Sequence, residues 1–276
     1  MDTNKNSYTI IYTAVMVIVV AAVLAFVSSS LKGKQTQNAE VDTKSKILGA
    51  VALTQGMETA SNKSAFVEQQ YEKYVTEDIA VNAEGQVIEG VKGFSVDLKT
   101  QNDLMKAGNT ADLQLPVFVC TMDNGSKVYI LSCYGAGLWG PIWGWIALES
   151  DMDTIHGTLF AHKGETPGLG AEIATEWFSA QFNGKKIFEG DEFTSVRVIK
   201  GGAAPDDIHG VDAITGGTMT SRALDSTIET WLKAYMPYIE SVKAANAPAA
   251  GEIATDSLAV AVDSMAVAAE NVQNLN

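Results

Sequence analysis

The chain is poor in the residues that build metal centres and cross-links. Of 276 residues only two are cysteine, Cys120 and Cys133, and three are histidine, His156, His162 and His209. None of the histidines stands at metal-ligand spacing with a cysteine or another histidine, so no metal site is expected. No Gly-x-Ser-x-Gly elbow or comparable nucleophile motif occurs. Basic residues are also scarce: 19 Lys and Arg face 33 Asp and Glu, for a formal net charge of −14. An acidic surface repels phosphate backbones, which argues against nucleic acid as a partner.

Charge is absent altogether from Asn6 to Leu31. Within that stretch Ile10–Val27 is almost wholly apolar, and as a helix it reaches roughly 27 Å, close to the thickness of a bilayer core. The apolar core of a cleaved signal is usually shorter, about 7–15 residues. Residues 8–28 therefore read as a retained single-pass anchor, with Ser28-Ser29-Ser30 leaving cleavage open as the alternative. Lysines on the two sides of the span (Lys5 against Lys32 and Lys34) nearly balance and lean toward a cytoplasmic body.

Beyond the anchor the chain is rich in glycine and tryptophan, at 24 and five residues, as suits a β-rich body with tight turns. Asp42–Leu53 predicts a short helix, and Ala65–Val75 a second one with Phe66, Tyr71, Tyr74 and Val75 on one stripe. Val87–Leu98 mixes alternation with glycine and has no legible register. From Leu115 the pattern becomes two-fold. Asp123–Ser126 (D-N-G-S) marks a hairpin. With Asn124-Gly125 as a two-residue loop, Cys120 stands opposite Tyr129. Cys133 then lies ~13 Å farther along the strand, too far for a disulfide. Both thiols are expected free. Strands are predicted over Ile142–Leu148, Thr154–Ala161 and Phe193–Lys200, and helices over Glu172–Phe182 and from the Thr220 region onward. Strands in runs with helices after them indicate an α+β fold with antiparallel strands rather than βαβ alternation. The chain divides into an anchor over 1–31, a membrane-proximal helical and mixed region over 32–114, the α+β body over 115–243 and an Ala-rich tail over 244–276. The tail repeats D-S-L-A-V-A-V as D-S-M-A-V-A-A seven residues later, too few heptads for a coiled coil, and reads as a mobile segment.

Three glycine-bearing stretches remain. Gly135–Gly140 matches G-x-G-x-x-G, but Pro141 and a strand pattern come next, where a dinucleotide site needs a helix. A glycine-rich connection between strands is the better reading, and it leaves no NADH site on this chain. Glu165–Gly170 (E-T-P-G-L-G) either caps the following helix or turns its backbone toward a flat ligand. Asp212–Ser221 (D-A-I-T-G-G-T-M-T-S) leads into the last helix. Thr220 or Ser221 reads as its N-cap, while Gly216-Gly217 and the Thr218 hydroxyl form a turn where phosphate is electrostatically welcome.

Taken together these stretches resemble the FMN-binding domain family. D-A-I-T-G-G-T is similar to its flavinylation motif, and G-L-W-G-P at Gly137–Pro141 and E-T-P-G-L-G fall in the family's order over roughly residues 8–240. One departure is Gly217, where the family usually has alanine. The resemblance implies FMN carried on Thr218 through a phosphoester, installed by a separate flavin transferase that uses FAD and recognises Asp212, Thr215, Gly216 and Gly217. It implies Glu165, Thr166 and Leu169 beside the isoalloxazine, Gly168 and Gly170 giving backbone access, and Leu138 and Trp139 nearby. It also implies a single-electron carrier of a Na+-translocating NADH:quinone reductase, working with the other subunits, its domain on the periplasmic face of the bacterial inner membrane. That side is opposite to the lean of the lysine count. An Rnf-type subunit, or a stand-alone tethered flavoprotein, would share the chemistry. An anchored module that holds a phosphate ligand reversibly is the reading from a different class.

Overall fold

The computed structural model describes residues 6–246, so the Ala-rich tail lies outside the described residues from 247 onward. Helix α1 runs unbroken over Asn6–Gly49. The separate short helix expected after the anchor is therefore the end of the anchor helix itself. Between Ser28 and Lys46 Gly33 is the one glycine and no proline stops the chain, so nothing there breaks the helix although several residues favour it only weakly. The apolar first half of α1 is exposed, compatible with a single-pass membrane anchor. Its last turn is buried: Ile47 and Leu48 leave no surface accessible.

Helix α2 (Lys63–Tyr74) starts at Asn62, whose side chain accepts from the Ala65 N–H. Strands β1 (Val75–Val81), β2 (Leu115–Thr121), β3 (Lys127–Ala136), β4 (Pro141–Leu148) and β5 (Ile155–His162) form one antiparallel sheet in chain order. The fold is α+β, as the strand patterns indicate. Helix α3 (Leu98–Lys106) fills the connection between β1 and β2. After β5 come a 3₁₀ turn (Gly170–Ala174), α4 (Glu176–Ala180), the short strands β6 (Phe188–Glu189), β7 (Glu192–Phe193), β8 (Arg197–Ile199) and β9 (Gly210–Asp212), and the long α5 (Thr218–Asn246).

Side chains alternate across the sheet and build two cores. Val117, Leu131, Cys133 and Ile146 face α5, packing on Leu224, Ile228 and Trp231. Phe118, Cys120, Ile130 and Ala147 face the other way, onto Ile47 and Val51 at the end of α1. Hydrogen bonds fasten α5 to the sheet, from Trp231 Nε1 to the Tyr134 carbonyl and from the Tyr235 hydroxyl to the Pro116 carbonyl, each at 2.7 Å.

Several local expectations shift. The hairpin register is one residue off, because Cys120 pairs with Val128 rather than Tyr129. The loop has three residues, Asp123-Asn124-Gly125, with Gly125 at φ 83 and the Met122 N–H bonded to the Ser126 carbonyl. Such a turn is the common alternative to a two-residue loop. The cysteines are free and buried, as expected, and they lie in different cores. Burial pushes both thiols up to about 12. The helix predicted over Glu172–Phe182 breaks at Thr175, which is extended and caps α4 by accepting from Phe178 N. The strand predicted over Phe193–Lys200 is interrupted by Ser195 at φ 63.

Candidate functional site

Three connections meet at one edge of the domain. The first is the turn between β3 and β4, closed by a 2.8 Å bond from Gly137 N to the Gly140 carbonyl. It joins two antiparallel strands with no helix after it, as the reading against a dinucleotide site requires. The second is the loop from Glu165 to Gly170, where Thr166 O accepts from both Leu169 N and Ala171 N. The third is the Gly216-Gly217 turn into α5. Together they enclose a shallow hollow of about 120 Å³, lined by Leu138, Trp139, Glu165, Thr166, Leu169, Gly170, Gly216, Gly217, Thr218, Met219 and Thr220.

The turn into α5 explains why glycine is needed. Gly216 has φ 79, and a Cβ there would also press on Leu169 Cδ2. Gly217 N bonds to the Ile214 carbonyl, and the Gly217 carbonyl accepts from Ser221 N. The helix therefore opens at Thr218, three or four residues before the start that a cap at Thr220 or Ser221 predicts. Both of those hydroxyls serve tertiary contacts instead. Ser221 Oγ accepts from Ile214 N at 3.1 Å, and Thr220 Oγ1 donates to Glu165 Oε2 at 2.6 Å. The N–H groups of Thr218, Met219 and Thr220 have no helical acceptor, as at any helix start. They belong to residues that line the hollow, at the positive end of a 29-residue helix.

Glu165 sits under the hollow at 4% exposure. Its Oε1 accepts from Trp139 N at 2.9 Å, while its own N–H donates to His162 Nδ1 at 3.1 Å. Burial alone would push this carboxyl up. The bonds from Thr220, Trp139 and Leu138 outweigh burial and hold it below the ordinary carboxylate range. Two motif glycines wrap this group. A Cβ on Gly137 would lie 2.5 Å from Glu165 Oε1, and one on Gly170 would lie 2.5 Å from Oε2. Gly170 thus gives its backbone access to a carboxylate in the interior.

The remaining residues predicted for the site lie around this arrangement. Gly168 is outside the lining, at φ 75, with its N–H donating to Glu172 Oε1. Asp212 is exposed; its Oδ1 accepts from Ala203 N at 2.7 Å and its N–H donates to Gln181 Oε1. Thr215 is exposed and outside the lining. Leu138, Trp139 and Leu169 form a projecting apolar rim, exposed by 52%, 70% and 41%. Sequence reasoning missed Met219, which joins this rim at 57%, and the pairing of Thr220 with Glu165 across 55 residues. No spacing rule could have found the pairing.

The edge thus offers open N–H groups at a long helix start for a phosphate and an apolar rim for one face of a planar ring, and these groups fit FMN. The chain is an α+β domain of flavin-binding type carried on one apolar helix, and the FMN-binding domain family matches residues 137–233. The NqrC subunit of the Na+-translocating NADH-quinone reductase of Vibrio parahaemolyticus is 30% identical over 245 residues, covering 82% of this chain and 91% of that protein. The crystal structure of the same subunit from Parabacteroides distasonis is similar with a TM-score of 0.64 and 38% identity, over 76% of this chain and 96% of that one. That of Shewanella oneidensis NqrC gives 0.62 and 26%, over 74% and 98%. The chain belongs to the NqrC family of Na+-translocating NADH-quinone reductase subunits.

Proposed function

We propose that this chain is the covalently flavinylated electron carrier of a Na+-translocating NADH:quinone reductase, with FMN joined to Thr218 by a phosphoester and its domain on the periplasmic side of the inner membrane. The observation that carries the attachment point is how the four neighbouring hydroxyls are used. Thr220 is committed to Glu165 and Ser221 to Ile214 N. Thr215 lies outside the hollow's lining, and Thr218 alone of the four both lines it and makes no side-chain hydrogen bond among the described residues. The family supports the cofactor.

When bound, the flavin supplies the one-electron redox chemistry. The chain does the rest. Thr218 Oγ1 is the nucleophile that replaces AMP on the FMN phosphorus of FAD, in a reaction run by a separate transferase. The N–H groups of the first turn of α5 hold the phosphate, and the dipole of the helix favours its charge. Leu138, Trp139, Leu169 and Met219 shield one face of the ring. Asp212 and Thr215, both exposed, present the turn to the transferase. Electrons arrive from another subunit and leave toward quinone. Residues 8–28 hold the chain in the membrane.

The test uses the full chain co-expressed with a flavin transferase. Wild type is expected to show flavin fluorescence on a denaturing gel and an intact mass raised by one FMN. Thr218→Ala is expected to show neither. Flavin that stays covalently bound to Thr218→Ala overturns the attachment point. A wild-type chain that loses its flavin on denaturation favours reversible phosphate-ligand binding.

A further inference from the structure

We infer that Glu165 is a positioning residue, whose ionised carboxylate clasps the three connections around Thr218 and so preassembles the seat on which the flavin is attached. This rests on Thr218 being the attachment point. The inference differs from a flavin contact, because both carboxylate oxygens are already engaged by protein donors.

The geometry is specific. Oε1 holds the β3–β4 turn through Trp139 N, and Oε2 holds the first turn of α5 through the Thr220 hydroxyl. The carboxylate belongs to the third connection, whose start is pinned by Glu165 N on His162 Nδ1. The two carboxylate contacts end on two different connections and Glu165 itself stands on the third, so loss of the carboxylate unlinks the three. Thr220 is two residues from Thr218, and a slack Thr220 leaves the Thr218 hydroxyl and its neighbouring N–H groups without a fixed direction. The glycines complete the device. At Gly137 and Gly170 any side chain would displace the carboxylate from its donors. Two of the three motifs therefore read as the wrapping of one buried anion, which explains why they occur together.

A charge-assisted hydrogen bond in a closed site is worth roughly ten- to hundredfold in population. The amide of Trp139 reports this directly by hydrogen exchange on the full chain in detergent, with or without flavin. Glu165→Gln and Thr220→Val are each expected to speed Trp139 exchange about tenfold or more, leaving core amides such as Leu131 unchanged. Thr220→Ser, which keeps the donor, is expected to retain protection. Initial rates of flavin attachment by added transferase should fall by a similar factor in the first two variants and recover in the serine variant. The double variant Glu165→Gln/Thr220→Val should lose little beyond either single, since both remove one clasp.

Unchanged Trp139 exchange in both Glu165→Gln and Thr220→Val overturns the clasp. Lost protection with attachment at the wild-type rate overturns the positioning role. Wild type that is never labelled sinks the attachment reading itself, a result distinct from variants labelled as fast as wild type.

Discussion

Glu165 and Asp212 flank the Gly216-Gly217 turn, one from the interior and one at the surface, and use their carboxylates in opposite ways. On the inner flank Glu165 is buried, each oxygen has a donor, and no methyl group fits at Gly137 or Gly170. On the outer flank Asp212 is exposed. One of its oxygens holds the Gly201–Ala203 loop through Ala203 N, and a Cβ at Gly202 would meet it at an ordinary 3.4 Å. The difference separates two tasks on one turn. The inner flank fixes where Thr218 points. The outer flank leaves a surface that another protein can read. Substitutions inside should cost stability first, and substitutions outside should cost attachment first.

The sharpest attempt to break this contrast is Gly170→Ala. The added methyl presses on both Thr220 Oγ1 and Glu165 Oε2, so the clasp and the start of α5 must both move. Overpacking of this kind costs about 1–3 kcal/mol, and the midpoint of thermal unfolding should drop by roughly 2–12 °C. Gly168→Ala is the control: its φ of 75 strains any other residue, but nothing crowds the new methyl. A cost of about 1 kcal/mol is expected there. Equal losses at the two positions would show that backbone strain, not the buried carboxylate, sets the inner flank.

Acid provides a second probe of the inner flank. The folded Glu165 carboxyl lies below its unfolded value of about 4.3. Its contribution to stability is therefore fully present above that value and is lost as pH falls through the lowered folded value. Glu165→Gln lacks this step. The gap in thermal midpoint between wild type and Glu165→Gln should be widest near pH 6 and close as pH drops below about 4. A gap that stays constant with pH would mean the carboxylate is not the group that matters.

On the outer flank the effects should be smaller and of another kind. Asp212→Ala removes the acceptor for Ala203 N and should cost about 1 kcal/mol. Asp212→Asn keeps an oxygen for that bond and should stay near wild type in stability. Attachment rates on the two variants then divide the residue's role. Retention by Asn alone is expected, and would show that the shape of the loop, rather than the charge, is what the transferase meets.

Much of the sheet was legible because β2 to β5 are short, largely apolar runs, buried on both faces, and turn residues separate them. The misreadings have local causes. A three-residue loop and a two-residue loop both suit D-N-G-S, and only the pairing of Cys120 with Val128 decides between them. The end of α1 was hidden because the end of an apolar run resembles the end of a helix, although no proline follows it before Gly49. Val87–Leu98 had no pattern because its order comes from elsewhere, notably the Asp78 carboxylate that accepts from Phe94 N. The site divides in the same way. The three connections were visible as motifs, and the hydroxyl series around Thr218 was visible as a helix entry. That Ser221 is diverted from capping depends on Ile214 N within the same stretch, but that Thr220 is diverted depends on Glu165, 55 residues away and outside any window around the turn.

The smallest expected effect falls on the second glycine of the turn. Gly217 lies between the two flanks, and its φ is not in the left-handed region, so alanine is conformationally allowed. A Cβ there would lie 3.0 Å from Ile214 Cγ2 and 3.2 Å from Gly170 N. The neighbours must give by a few tenths of an ångström, and the side chain of Ile214, though buried in the core, yields more readily than the Gly170 backbone. Against that crowding, alanine restricts the unfolded chain, a gain of about 0.4–1 kcal/mol. The two terms nearly cancel, and Gly217→Ala should unfold within about 0.5 kcal/mol of wild type. Because the Gly217 carbonyl still accepts from Ser221, α5 should still open at Thr218, and flavin attachment should proceed at the wild-type rate. A slowed attachment at unchanged stability would place Gly217 with the outer flank, as part of what the transferase reads. A loss of stability would place it with Gly170, against the buried carboxylate.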